Sequence, residues 1–294
     1  MTEEQARRLW ERFEVVHDVA YFSPRVAEAA RGLGLKGYWM GYFALRAAPL
    51  GPVGPATVTA VFFGFHRSRV ERALPDAWAY TTPEAAIAAR EAAVDAALAE
   101  LVGGDAAGPG DASGPGDLGE AAELAWRAAQ LADTAGRPLA AANQALPRPG
   151  SERVALWQAT AVLREHRGDG HNAVLVSRGV GPAEAHLLKA GAGESDPDVL
   201  RTGRGFPDEE WARARAGLAD RGLLDGDGRL TAAGRAEHDA IEAATDRAAR
   251  QPWEALGASG SDRLLALLDA PAAAVAGSGL LPEPSPVGLP RRAR

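Results

Sequence analysis

Near residues 222–231 the chain reads Gly-Leu-Leu-Asp-Gly-Asp-Gly-Arg-Leu-Thr, with apolar pairs on either side of Asp225-Gly226-Asp227-Gly228. Aspartate and glycine tolerate the backbone angles of a tight reversal, so this is a hairpin signal. It stands nearly alone. Elsewhere apolar residues recur at spacings of three and four, and strand signals are scarce. Pro207-Asp208-Glu209-Glu210 opens a helix before the hairpin, and a long helix from Thr231 to about Gln251 follows it.

Helix, hairpin, helix is the wiring of a winged helix-turn-helix, with residues 171–190, 195–203 and 207–221 as its three helices. Residues 3–32 place Leu9, Phe13, Val16 and Ala20 on one helical face, and Thr82-Pro83-Glu84 caps an Ala-rich helix running to Leu101. Residues 118–145 and 151–166 follow the same pattern, with Ser151 as a cap. Gly103 to Asp117, GGDAAGPGDASGPGD, has no large apolar residue to bury and reads as a disordered linker. The end from Gly277, finishing with Arg291, Arg292 and Arg294, reads as a loose tail. The expected fold is mainly α, a helical bundle plus a winged helix-turn-helix with a small β-hairpin wing. Its expected parts are an N-terminal helical module (1–102), the linker (103–117), bridging helices (118–170), a winged-helix module (171–257), and a C-terminal helix and disordered tail (258–294).

Composition narrows the function. The chain has 294 residues and no cysteine, which excludes disulfides, iron–sulfur clusters, thiolate zinc sites and cysteine nucleophiles. Val58 to Phe65 is among the longest apolar stretches and is far shorter than the roughly 20 residues of a membrane helix. With no apolar signal core in MTEEQARRLWER, the expectation is a cytoplasmic protein with no membrane partner. Of 32 basic residues only Lys36 and Lys189 are lysine, and the net charge of −7 gives no general attraction to nucleic acid.

The string LADRGLLDGDGRLTAAGR at 218–235 resembles the recognition-helix end, wing and following helix of MarR-type regulators. GYFALRAAPLGPVGPATVTAVFFGF (41–65), LWQATAVLREHRGDGHNAVL (156–175) and ATDRAARQPWEALG (244–257) are similar to the SalK-like helix-turn-helix family of actinobacteria. The resemblance covers roughly residues 5–257 apart from the linker. It implies a winged-helix fold in proteins commonly named as regulators, and it implies no reaction.

DNA would have to bind locally. Between residues 194 and 257 fourteen acidic residues face nine arginines, and the helix that would enter the groove begins with Asp208, Glu209 and Glu210. Those carboxylates suit a helix N-terminus and repel phosphate. The cations left for DNA are Arg204, Arg213, Arg215 and Arg229.

Two segments could hold chemistry. In Arg164-Glu165-His166-Arg167-Gly168-Asp169-Gly170-His171-Asn172 the two glycines predict a helix break, and a turn there could gather His166, Asp169 and His171. Such a turn could be structural, with Asp169 capping the next helix, could line an organic-ligand pocket, or could bind a metal, of which the last has least support because the histidines lack helical ligand spacing. In Tyr42 to Gly51, Arg46 sits alone in an apolar run and needs a partner, either a protein carboxylate or the acid group of a ligand. Tyr42 and Phe43 could wall a flat ligand or belong to the core. The expected ligand-binding set is Arg46, Tyr42, Phe43, His66, His166, Arg167, Asp169 and His171, with His166, His171 and Asp169 the catalytic candidates if there is catalysis. His17 and His186 read as packing histidines and His238 as exposed.

No nucleophile elbow, phosphate loop or His-Glu-x-x-His is present, and no cofactor is required. The leading expectation is a MarR-like, ligand-responsive, regulator-like protein holding a small apolar or acidic molecule between its two modules. The alternatives are an enzyme of specialised metabolism that has left DNA behind and uses the 164–172 loop, and a non-catalytic protein-interaction partner. The helices at 118–145 and 231–251 would suit a homodimer.

Overall fold

A computed structural model describes residues 2–102, 115–282 and 289. The chain opens with α1 (Glu3–His17), α2 (Val19–Phe22), α3 (Pro24–Gly32), α4 (Gly37–Ala47), α5 (Pro55–Val61), α6 (Arg67–Glu71) and α7 (Pro83–Val102). It continues with α8 (Pro115–Gln130), α9 (Pro138–Gln144), α10 (Glu152–Ser177), α11 (Pro182–Gly191), α12 (Pro197–Arg204), α13 (Asp208–Asp220), α14 (Ala232–Ala248), α15 (Gln251–Leu256) and α16 (Ala258–Gly277). Thr82 Oγ1 accepts from the Ala85 amide (3.2 Å) as the sequence suggests, whereas Ser151 makes no capping bond and donates to Asp95 (2.6 Å) instead. Thr2 and Gln5 form a reciprocal capping box on α1, and Asp196 accepts from two first-turn amides of α12.

Three apolar cores result among the described residues. Phe43, Phe62, Leu74 and Val94 centre the first; Leu9, Phe13, Leu156 and Trp253 the second; Leu187, Leu200, Trp211, Leu218 and Ile241 the third. Burying one such large side chain contributes about 1.5–3 kcal/mol. Helix α10 joins all three, giving Trp157 to the first, Leu156 and Leu163 to the second and Leu175 to the third.

The third core holds the α11–α12–α13 arrangement together. Gly205, with φ of 83°, closes α12 in the left-handed conformation, and Phe206-Pro207 redirects the chain into α13. The expected β-hairpin contracts to one antiparallel bridge, Leu224 to Leu230, with no strand among the described residues. The legs explain this: Gly222 (φ 69°) limits the first to Leu223-Leu224, and Thr231, capping α14, limits the second to Arg229-Leu230. The turn itself is firm, because the Asp225 carboxylate accepts from the amides of Asp227 and Arg229 at 3.0 and 2.9 Å. The bridge is pinned on both flanks, the Leu230 amide donating to Gly191 O (3.1 Å) and the Thr231 amide to Leu223 O (3.1 Å).

Other expectations need correction. Residues 164–172 form no loop; they lie inside the 26-residue α10. Gly170 is there for packing: a Cβ would stand 2.5 Å from the Arg137 guanidinium and 3.4 Å from Ala248. The division at 170/171 therefore falls within a helix, and the first helix of the expected 171–190 element is the end of α10 followed, after Gly179 (φ 64°), by α11. Residues 118–145 are two helices, interrupted by Leu131 to Arg137 with Gly136 at φ 70°. The helix expected to reach Gln251 stops at Ala248, and α15 begins at Gln251 with Pro252 in its first turn. Both helices suggested for a dimer contact have intrachain partners, α8 packing on α10 and α16, and α14 on α10 and α1. Most of the expected linker, 103–114, and the arginines near the C-terminus lie outside the described residues.

Candidate functional site

The two segments read from the sequence meet. Helical geometry puts Glu165 on the face of α10 that looks at α4, and Arg46 grips it with Nε to Oε1 at 2.8 Å and Nη2 to Oε2 at 2.9 Å. The partner of Arg46 is thus a carboxylate of the protein. Its Nη1 also donates to Tyr42 Oη (2.8 Å), and its guanidinium lies 4.1 Å from the centre of the Phe62 ring. Arg164 extends the network, donating to Glu165 (3.0 Å) and Glu14 (3.3 Å), and Glu14 accepts from Trp10 Nε1 at 3.0 Å. Burial alone would raise the Glu165 pKa; Arg46 and Arg164 overcome that and hold it at about 2.

Tyr42, Arg46 and Glu165 form a partition between two cavities. The smaller, about 200 Å³, lies toward His17, Tyr21, Tyr38 and Trp157. His17 stacks on Trp157 at 5.7 Å and shares a hydrogen bond with Tyr21 Oη, and burial depresses its pKa, so it is a packing group. The larger, about 670 Å³, opens between the N-terminal helices and the α11–α14 module. Val61, Phe62 and Phe65 give it an apolar wall on one side; Leu175, Leu188 and Ile241 face them from α10, α11 and α14. That size and mixture suit a small organic molecule.

Hydrogen bonds from segment 61–69 clamp the modules across this cavity. Asn172 Nδ2 donates to Val61 O (3.1 Å), the His66 amide to Arg204 O (3.0 Å), and Arg69 to Thr202 O. His186 Nε2 donates to Gly64 O at 2.7 Å; because a carbonyl can only accept, this fixes the proton on Nε2. Burial pushes the His186 pKa down to about 3.

The structure divides the expected ligand set. Tyr42, Arg46, Arg167 and His171 line the large cavity. Arg167 there pairs with Asp246 at 2.6 Å, which Arg7 shares at 2.8 Å, and His171 Nδ1 meets Thr245 Oγ1 at 2.9 Å. Burial lowers the His171 pKa to about 4. The remaining four lie elsewhere. Phe43 is fully buried core between Phe62 and Phe65. His66 caps α6 and pairs with Glu210 at 3.3 Å. His166 and Asp169 occupy the opposite face of α10, as continuous helix requires. His166 is buried, with burial lowering its pKa to about 4. Asp169 caps α9 from across the interface, accepting from the Leu139 and Ala140 amides at 2.9 and 3.0 Å. His166, Asp169 and His171 therefore do not converge, and no cluster of three or more metal-ligating side chains occurs among the described residues. His238 is not exposed: its side chain retains 12% of its surface and its Nε2 lies 3.2 Å from Glu194.

Among the cavity residues that sequence reasoning left out of the ligand set is Lys189, on the last turn of α11. Its signal was present: 30 of the chain's 32 basic residues are arginine. Burial first, and then the nearby Arg204 charge, bring its pKa down to about 8.

A helix-turn-helix family model matches residues 6–282, nearly the whole chain. The chain belongs to this helix-turn-helix family. Neither comparison, with curated proteins or with solved structures, gives a match. No helix among the described residues is long and apolar enough to cross a membrane.

Within the helix-turn-helix module the four arginines named for DNA separate. Arg204 lines the cavity, its guanidinium 4.5 Å from the Phe65 ring centre, and so faces inward. Arg213, Arg215 and Arg229 are exposed. Arg213 donates to Glu209 O, and Arg215 reaches the hairpin turn at Gly226 O (2.7 Å). At the acidic start of α13, Asp208 is engaged by Arg201 and Glu210 by His66.

Proposed function

We propose that this helix-turn-helix protein is a ligand-responsive, MarR-like regulator whose effector is a small apolar or acidic molecule held in the cavity of about 670 Å³ between its two halves. The observation carrying this reading is that the cavity is walled from both sides, by Phe62 and Phe65 in the N-terminal part and by Leu188 and Ile241 in the helix-turn-helix part. A molecule touching both walls binds one relative placement of the halves better than another, which is what a switch requires. DNA contact falls to Arg213, Arg215 and Arg229, beside the hairpin turn. The Arg201 guanidinium on Asp208 weakens the repulsion that carboxylate would offer to phosphate.

Two measurements test the reading. Fluorescence anisotropy with duplex from the gene's own upstream region and a scrambled control, repeated across salt, should give a sequence preference that persists at physiological salt. Binding without preference, abolished by salt, would overturn the regulator reading. The anionic aromatic probe 8-anilinonaphthalene-1-sulfonate should bind once per chain and be excluded by Val61→Trp, which fills the cavity from its apolar wall. Probe binding unaffected by that substitution would place it elsewhere and overturn the ligand reading.

A further inference from the structure

Lys189 differs from four guanidinium groups that share the large cavity. Arg7, Arg46, Arg164 and Arg167 are each within 4 Å of a carboxylate. The Lys189 side chain, partly buried and lining the cavity, has no hydrogen-bond or ion-pair partner among the described residues. The ionisable groups around it come from every neighbouring element: Glu14 on α1, His171 on α10, Glu194 after α11, Arg204 on α12, and His238 and Glu242 on α14. His186 shares its own helix. Where the chain needs only a fixed positive charge it uses arginine; an arginine here would serve as an anion clamp but could neither lose its proton near neutral pH nor form an imine with a simple aldehyde or ketone. A lysine placed in an apolar cavity beside another cation is the arrangement that makes an amine nucleophilic near neutral pH.

Resting on the reading of the large cavity as a ligand site, we infer that Lys189 captures a carbonyl compound, an aldehyde or ketone with an apolar or aromatic body, as a reversible imine. The Nζ lone pair attacks the carbonyl carbon, the carbonyl π pair moves to oxygen, and the carbinolamine loses water as the C=N bond forms. Both amine protons leave on that water, no electrons are gained or lost, and hydrolysis reverses the step. The apolar body lies against Val61, Phe62 and Phe65, and the imine lies on the α11 side.

The small number of amines makes the test direct, because the chain offers only Lys36, Lys189 and the α-amino group. The full-length protein is incubated at pH 7.5 with 2-naphthaldehyde and sodium cyanoborohydride, and the reduced adduct is located by peptide mass spectrometry on the wild type. Lys189 should be labelled at least about tenfold faster than Lys36, whose pKa hydrogen bonding to Tyr80 raises. The alcohol 2-naphthalenemethanol, which fills the cavity without a carbonyl, should protect Lys189 and leave labelling of the α-amino group unchanged. Lys189→Arg should still bind the alcohol while losing the internal adduct. If the alcohol binds but Lys189 is labelled no faster than Lys36, the imine inference is overturned and the ligand cavity stands. If 2-naphthoate binds and Lys189→Arg leaves that binding intact while no adduct forms in the wild type, Lys189 is a charge clamp and the inference is likewise overturned. If the alcohol does not bind and gives no protection, both the inference and the cavity reading fall.

Discussion

Replacing Glu165 by glutamine removes the anion that two buried arginines share while keeping the side chain's shape. In the wild type the Glu165 side chain retains 3% of its surface and Arg46 12%, so neither is well solvated from outside. Breaking such a pair by removing one partner costs about 3–5 kcal/mol, and the adjoining cavity argues for the lower end, about 3 kcal/mol. Arg46 keeps Tyr42 Oη and Arg164 keeps Glu14, which also limits the loss. The pH dependence supplies an independent measure. Glu165 has a folded pKa depressed from 4.5 to about 2, so its stabilisation is fully present above 4.5 and drains away as pH falls toward 2. A depression of that size corresponds to about 3 kcal/mol, in agreement with the first figure. Urea unfolding of wild type and Glu165→Gln should therefore differ by about 3 kcal/mol at pH 7 and converge as the pH approaches 2. A difference below about 1 kcal/mol at pH 7, or one that does not shrink on acidification, would refute the reasoning and mean that cavity water solvates the two guanidinium groups.

Three further outcomes follow from geometry already described. Gly234→Ala should cost about 3 kcal/mol and expose the amides of Leu230 and Thr231 to hydrogen exchange, because a Cβ at 234 collides with the carbonyl oxygen of Leu223 and would lie 2.9 Å from its carbonyl carbon. Asp169→Ala should cost about 2 kcal/mol by orphaning the amides of Leu139 and Ala140, whereas Asp169→Asn keeps an acceptor and should cost under about 1 kcal/mol at pH 7. Burial raises the Asp169 pKa to about 6, so the wild type should gain stability from this group as pH falls through 6, and thermal melts of Asp169→Asn should lack that gain. Substituting Arg213, Arg215 or Arg229 by alanine should each lower the salt slope of DNA binding by about 1, while Arg204→Ala, inside the cavity, should leave the slope unchanged.

The helices were legible because their apolar spacing and caps are local properties: Thr82 and Thr231 cap where the sequence places helix starts, although Ser151 turns its hydroxyl to Asp95 on another helix. The Asp225-Gly226-Asp227-Gly228 turn was legible for the same reason. What failed depended on distant partners. Gly168 and Gly170 read as helix breakers, yet Arg137, whose guanidinium donates to the carbonyls of His166 and Ala248, needs the space at Gly170, and the helix continues past it. Continuity then decides the site, because a helix cannot turn His166, Asp169 and His171 to one point. Arg46 was correctly marked as needing a partner, but nothing local to residues 42–51 distinguishes Glu165 from a ligand's acid group. Lys189 was hidden differently: its place in the cavity comes from an enclosure built by α1, α10, α12 and α14, with only its rarity written in the sequence.

Because α10 does not break at its glycines, it behaves as a lever. Its 26 residues span about 39 Å, and a tilt of about 5° at one end would carry the other through about 3 Å. The cavity-facing Glu165, Gly168, His171, Asn172 and Leu175 lie along its second half, just before the joint at Gly179 (φ 64°) where α11 begins. Pressure from a molecule against this shaft has no internal hinge in which to dissipate, so it is delivered at the ends. One end is buried against α8, and the other leads into α11, which packs against α13, the helix that carries Arg213 and Arg215.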